Sequence, residues 1–213
     1  MCVNKEVSMI AFLVSMGACI ILMRRGHVND RWIAVTLGYI GSMQLLEFFM
    51  HSDPDCGKTN RTATSIAFWQ NLFQPAVFVL AAIVFSGCNL PWYAWVSTLA
   101  YGVYVVPTLI NARKPDADCT TTCPDQNTGL RFPYTDVPGN NMILWTVFAL
   151  AMALPFGAMQ RDGGFYIGAI LATYVAAVAI GAVRQCDGSP ATGSWWCLAG
   201  AAIPLVALCR NSP

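Results

Sequence analysis

The residues best equipped for chemistry fall in one short stretch, Gly41-Ser42-Met43-Gln44-Leu45-Leu46-Glu47-Phe48-Phe49-Met50-His51. On a helix, Gln44, Glu47 and His51 stand at i, i+3 and i+7 and share a face. A carboxyl group between an amide and an imidazole is equipped to titrate, to bind a cation or to pass a proton on. A second polar set follows, Trp69, Gln70, Asn71 and Gln74, and a third, Tyr101, Tyr104, Thr108 and Asn111. Glu47 and His51 also suit metal ligation at i, i+4, but the only other histidine is His27, and Asp53, Asp55 and Cys56 read as a solvated loop. No metal site is expected, and without a nucleophile and base pair no enzyme is expected either.

The surroundings of these residues decide what they can do. Charged residues make up 11% of the 213 residues, against about 25% in an average soluble protein, and mean hydropathy is +0.51. With a net charge of +1 there is no basic field for nucleic acid. Seven windows lack Lys and Arg: Val7–Met23, Trp32–Met50, Ala63–Ser86, Pro91–Ala112, Met142–Met159, Gly164–Val183 and Ser194–Cys209. As helices they would measure about 24–36 Å, bracketing the ~30 Å hydrocarbon core of a bilayer. Glu47 is the one charged residue inside any of them. The expected fold is therefore all-α, a single domain over 1–213 in which seven transmembrane helices form an integral membrane bundle. Lys5 and Glu6 precede the first window and Arg24 and Arg25 follow it, the pattern of a retained helix rather than of a cleaved leader.

The short first loop carries Arg24, Arg25 and Arg31, which places the N-terminus outside and the C-terminus inside. The raw Lys and Arg count alone leans the other way, but the loop flanking the first two helices carries more weight in setting orientation. In this orientation Asn60-Arg61-Thr62, a glycosylation sequon, lies outside. So do Cys56, Cys119, Cys123 and Cys186, the disulfide candidates, whose pairing the sequence leaves open. The extracytoplasmic loop 113–141 is rich in Pro and Gly and reads as an irregular, cysteine-stapled cap. A secretory-pathway or plasma membrane is the preferred location.

Other features concern packing. Gly164, Gly168, Ala172 and Ala176 recur every four residues in the sixth window, which suits close packing within the bundle, with a homo-oligomer contact as the alternative. Pro75, Pro107, Pro155 and Pro204 predict kinks. Trp32, Trp92, Trp95, Trp145, Trp195 and Trp196 sit near window ends, as interfacial belts do; Trp69 does not.

Seven helices with an outer N-terminus resemble the rhodopsins in architecture only. The lysines Lys5, Lys58 and Lys114 all lie outside the windows, so no retinal cofactor is expected. The acidic-Arg-Tyr and Asn-Pro-x-x-Tyr signatures of G-protein-coupled receptors are missing, and two histidines cannot supply the zinc of the ceramidase-like hydrolases. The pattern Met43-Gln44-x-x-Glu47-Phe48 with Asn71-x-x-Gln74-Pro75 is similar to uncharacterised multi-pass membrane proteins of large DNA viruses and microbial eukaryotes. That resemblance implies a shared membrane bundle with Gln44, Glu47, Asn71 and Gln74 as recurrent polar positions, and carries no activity with it.

Polar groups from three consecutive helices thus predict an outward-opening cavity. Its expected use is as a channel or transporter for an ion, a proton or a small polar solute. In it Glu47 titrates or binds a cation, His51 relays protons at the mouth, Gln44, Gln70 and Gln74 coordinate, and Trp69 and Tyr104 form the wall. The alternative is a receptor-like or scaffolding bundle that binds a ligand or partner through its outer loop, with Glu47 purely structural.

Overall fold

The computed structural model describes residues 4–86, 89–112, 119–122, 130–133, 141–159, 161–183, 185–186, 189–190 and 192–209. These are almost entirely helical. The first helix, α1 (Lys5–Arg25), starts at Asn4, whose side chain accepts a hydrogen bond from the Val7 N–H, and ends at Gly26 in the left-handed conformation. It is followed by α2 (Val28–Gly41), α3 (Met43–Ser52), α4 (Lys58–Ser86), α5 (Trp92–Ala100) and α6 (Val106–Ala112), then α7 (Asn141–Ala153), α8 (Gly163–Val183) and α9 (Thr192–Cys209). Two short ribbons complete the chain: β1 (Thr121–Thr122) with β2 (Leu130–Arg131), and β3 (Gln185–Cys186) with β4 (Ser189–Pro190), both antiparallel.

Five segments are long and apolar enough to cross a membrane: Lys5–Arg25, Val28–Ser52, Lys58–Ser86, Trp92–Ala112 and Gly163–Ile180. The fifth and seventh expected spans correspond to shorter apolar helices, Met142–Ala158 and Leu198–Cys209. In the fifth, α7 tightens into a 3₁₀ turn over Leu154–Ala158 at Pro155, which has no N–H to continue the α-helical ladder. Ahead of Pro107, α5 widens into a π-turn over Tyr101–Val105, where the Val106 N–H reaches back to the Tyr101 carbonyl. By contrast, α4 and α9 run through Pro75 and Pro204 as continuous helix.

The periphery is apolar, with Leu13, Leu80, Val84, Leu99 and Val103 exposed, as a surface facing acyl chains requires. The Val28–Ser52 segment is the centre of the bundle. Its apolar window is 61% buried, against 28% for α1 and 44% for α4. It packs against α1, α4 and α9, while α7 joins α4 and α5 to α8. Trp32, Phe78 and Phe156 meet in the core, with Trp32 stacked on Phe156 at 5.5 Å. Trp92 and Trp95 are exposed as belt residues should be, but Trp32 and Trp196 are buried core residues instead.

Close backbone approach occurs on α2 and α9 rather than on the expected stripe. A Cβ on Gly41 would collide with the Ser15 side chain, its Cβ lying 3.0 Å away, and one on Gly200 would come within 3.0 Å of Ile40. Gly164 and Gly168 have open space where a Cβ would go, and Gly164, Gly168, Ala172 and Ala176 all lie on the exposed face of α8. The stripe therefore does not serve close packing within this chain. Gly41→Leu should lower stability by about 1–3 kcal/mol through overpacking, whereas Gly168→Leu should leave it within about 0.5 kcal/mol. Thermal unfolding of the two variants in detergent checks the contrast.

Candidate functional site

The central segment bends where α2 gives way to α3, at Ser42. The Ser42 hydroxyl donates to the Tyr39 carbonyl (2.8 Å), and the Gln70 amide of α4 donates to the same carbonyl (2.7 Å) and to the Ser42 Oγ (2.8 Å). In return the Tyr39 hydroxyl donates to the Gln70 carbonyl (3.3 Å). Gln70 thus acts as a cap within the bundle, satisfying backbone that the bend releases. Its amide serves the joint between helices rather than the carboxyl group it was expected to assist.

One turn beyond the bend, the Gln44 Nε2 donates to the Glu47 Oε2 at 2.8 Å, and both residues are fully buried. The sequence placed them on one face, and the structure turns that face inward. His51 follows on the same face and is half-buried. Gln74 is fully buried too, its Nε2 donating to the Asn71 Oδ1 at 2.9 Å. These two form a second pair within α4.

The remaining candidates lie elsewhere. Trp69 is 43% exposed and stacks with Phe73 on the outward stripe that also carries Ile66 and Leu80, so it walls no cavity. Tyr104 and Asn111 are exposed, and the Thr108 hydroxyl donates back to the Tyr104 carbonyl. The helical register set by the π-turn instead buries Tyr101, whose hydroxyl donates to the Leu72 carbonyl at 2.7 Å. Pro107, which removes a ladder donor just downstream, was the available signal for such a shift. Among the described residues, no group of three or more His, Cys, Asp or Glu is arranged to hold a metal ion.

The end of the bundle beyond Glu47 is closed by a second polar assembly. Asp53 caps α4, its Oδ1 accepting from the Gly57 N–H and its Oδ2 from the Asn60 N–H, both at 3.1 Å. It is a helix cap rather than a solvated loop charge. Cys56, in the left-handed conformation, forms a disulfide with Cys119. This bridge ties part of the long loop down onto α4. Cys123 and the side chain of Cys186 lie outside the described residues.

Next to the disulfide, the Asn60 amide reaches the carbonyls of Met50 (3.3 Å), Asp53 (3.0 Å) and Thr120 (2.8 Å). Its Oδ1 accepts from the Thr64 hydroxyl and the Thr120 N–H, both at 3.0 Å. Asn60 is fully buried, and its nitrogen is committed three ways. The sequon expectation is corrected accordingly: this folded arrangement has no room for a glycan on Nδ2, because the amide is the hub of the lid. Thr120, Leu130 and Phe132 are buried with it, so the described parts of the 113–141 segment cap the bundle. Among the described residues, Gln44 and Glu47 are thus fully buried, and a second buried polar assembly lies at the end of α3.

No protein-family model, curated protein or solved structure matches this chain. Nothing in those comparisons bears on a viral or microbial-eukaryotic kinship.

Asn60→Ala removes the buried amide from the Met50, Asp53 and Thr120 carbonyls and should cost about 2–3 kcal/mol. Thermal unfolding in detergent measures the loss, and glycosidase treatment of the wild-type protein should leave its mass unchanged.

Proposed function

We propose that this chain is a receptor-like or scaffolding integral membrane protein, in which Glu47 holds helices in register and the disulfide-anchored 113–141 segment presents a surface to a partner. One observation carries the reading: the Gln44–Glu47 pair is fully buried beneath a lid pinned by Asn60 and Cys56–Cys119. Conduction needs a polar path that ions or solutes can enter and leave. A fully buried carboxyl group hydrogen-bonded to Gln44, on a helix packed against α1, α4 and α9, suits a place in the packed interior of the bundle rather than in a path for solutes.

A seven-span topology with the N-terminus outside accompanies this proposal. Lys5 lies over the Phe48 ring, at 5.2 Å, at the disulfide end of the bundle, and the Arg25 guanidinium donates to the Leu208 carbonyl at the other end. The first and last helices therefore finish side by side, which supports an odd number of crossings. A disulfide at Cys56–Cys119 suits an oxidising compartment, in line with the secretory pathway or plasma membrane. The chemistry is binding, with neither catalysis nor a cofactor. A second copy of this chain would meet the first along Gly164, Gly168, Ala172 and Ala176, since that stripe is exposed.

Reconstituted into proteoliposomes, wild-type protein and Glu47→Gln should both show proton and cation flux at the level of empty vesicles from pH 5 to pH 8. Uptake that depends on Glu47 would establish the transport reading instead. For the self-association, cross-linking in liposomes should trap a dimer that Gly168→Leu abolishes. Equal trapping with the variant would remove α8 as the contact.

A further inference from the structure

At the end of the bundle opposite the lid lies a cleft of about 330 Å³, between the start of α2, the end of α4 and the turn before α8. Its polar lining is Asn29, Trp32, Ser86, Asn89 and Arg161. We propose that this cleft binds a phosphate-type oxyanion, either free or as the headgroup of an anionic phospholipid.

Buried donors are the first argument. Trp32 is 1% exposed, and its indole N–H has no hydrogen-bond partner among the described residues. The ring is held by its stacking on Phe156, so the N–H is fixed in place. The Ser86 hydroxyl is likewise buried and without a partner among the described residues. A buried N–H left unmet costs about 1–3 kcal/mol, and the wall of a cleft is where a ligand can meet it.

Donor chemistry is the second argument. Indole and guanidinium are donors only, so Trp32 and Arg161 both require an acceptor opposite them. The Asn89 amide donates to the Ser86 carbonyl at 3.1 Å, which orders this wall. Val28 and Asn29 open α2, and the N-cap His27 supplies no side-chain cap, so the positive end of a 14-residue helix also borders the cleft. Helix N-termini favour oxyanions for this reason.

Charge and depth agree. Of the arginines at this end of the bundle, Arg161 is the one among the described residues that lines the cleft, while Arg25 is engaged with the Leu208 carbonyl. Asp30, in the first turn of α2, has a buried carboxylate oxygen without a partner among the described residues, and Asp162 follows Arg161, but neither residue lines the cleft. Val28, Phe85 and Met159 supply an apolar side at the level where acyl chains meet headgroups. In the proposed orientation this is the cytoplasmic face. The site does not depend on whether the opposite end binds a partner.

Purified full-length protein in a neutral detergent provides the test, with thermal stability and tryptophan fluorescence as readouts. Short-chain phosphatidic acid should raise the unfolding midpoint with saturation, and short-chain phosphatidylcholine should not. Arg161→Gln, at an exposed position, should leave the midpoint without ligand unchanged and weaken binding about tenfold or more. Trp32→Phe keeps an aromatic ring, though a smaller one, and deletes the N–H, so it should weaken binding similarly; if it fails to fold, Arg161→Gln decides. An equal response to inorganic phosphate supports the site and identifies a free anion as its ligand. No saturable response to either phosphate source, or full affinity in Arg161→Gln, overturns the proposal.

Discussion

A polar atom inside this bundle has no water to turn to, and almost every structural decision follows from that. In aqueous proteins a bent helix passes its released carbonyls to solvent; in hydrocarbon another protein group must take them. Gln70 does this at Ser42, Tyr101 does it at Leu72, and Asn60 does it for the carbonyls at the end of α3. Each of these side chains comes from a different part of the sequence than the backbone it serves. The bundle is held in register by such long-range caps as much as by apolar packing.

The same constraint explains why Glu47 lies where it does. Val28–Ser52 is the most enclosed of the long segments, with neighbours on α1, α4 and α9. A carboxyl group placed on any of the peripheral helices would risk meeting acyl chains, whereas here it meets Gln44. Beyond the end of α3, Asp53, Asn60, Thr64 and Thr120 are joined by hydrogen bonds beside the disulfide. At the other end the pattern differs: Trp32 and Ser86, two residues that line a cleft, keep buried polar atoms without partners among the described residues.

Helical class, membrane character and the inward face of Gln44 and Glu47 were legible from composition and spacing, because hydrocarbon imposes apolar runs of fixed length and a carboxyl group can face only one way out of them. Roles were less legible. Gln70, Trp69 and Tyr104 were expected around one cavity, yet Gln70 caps a bend, Trp69 faces outward and Tyr104 yields its inward place to Tyr101. A single extra residue in the π-turn is enough to move that last register, and no periodic pattern announces it.

Sequence alone determined that the chain is a bundle of apolar helices with an acid, Glu47, inside one of them, since length and charge exclusion are local properties of each segment. Tertiary structure decided that Cys56 pairs with Cys119, that the asparagine of a sequon is a buried hub, and that Gly41 and Gly200 make close contacts where Gly164 and Gly168 make none. Those outcomes depend on which surfaces meet across dozens of residues. A hydrogen bond or a close approach is a property of two partners, and the linear chain specifies only one of them at a time.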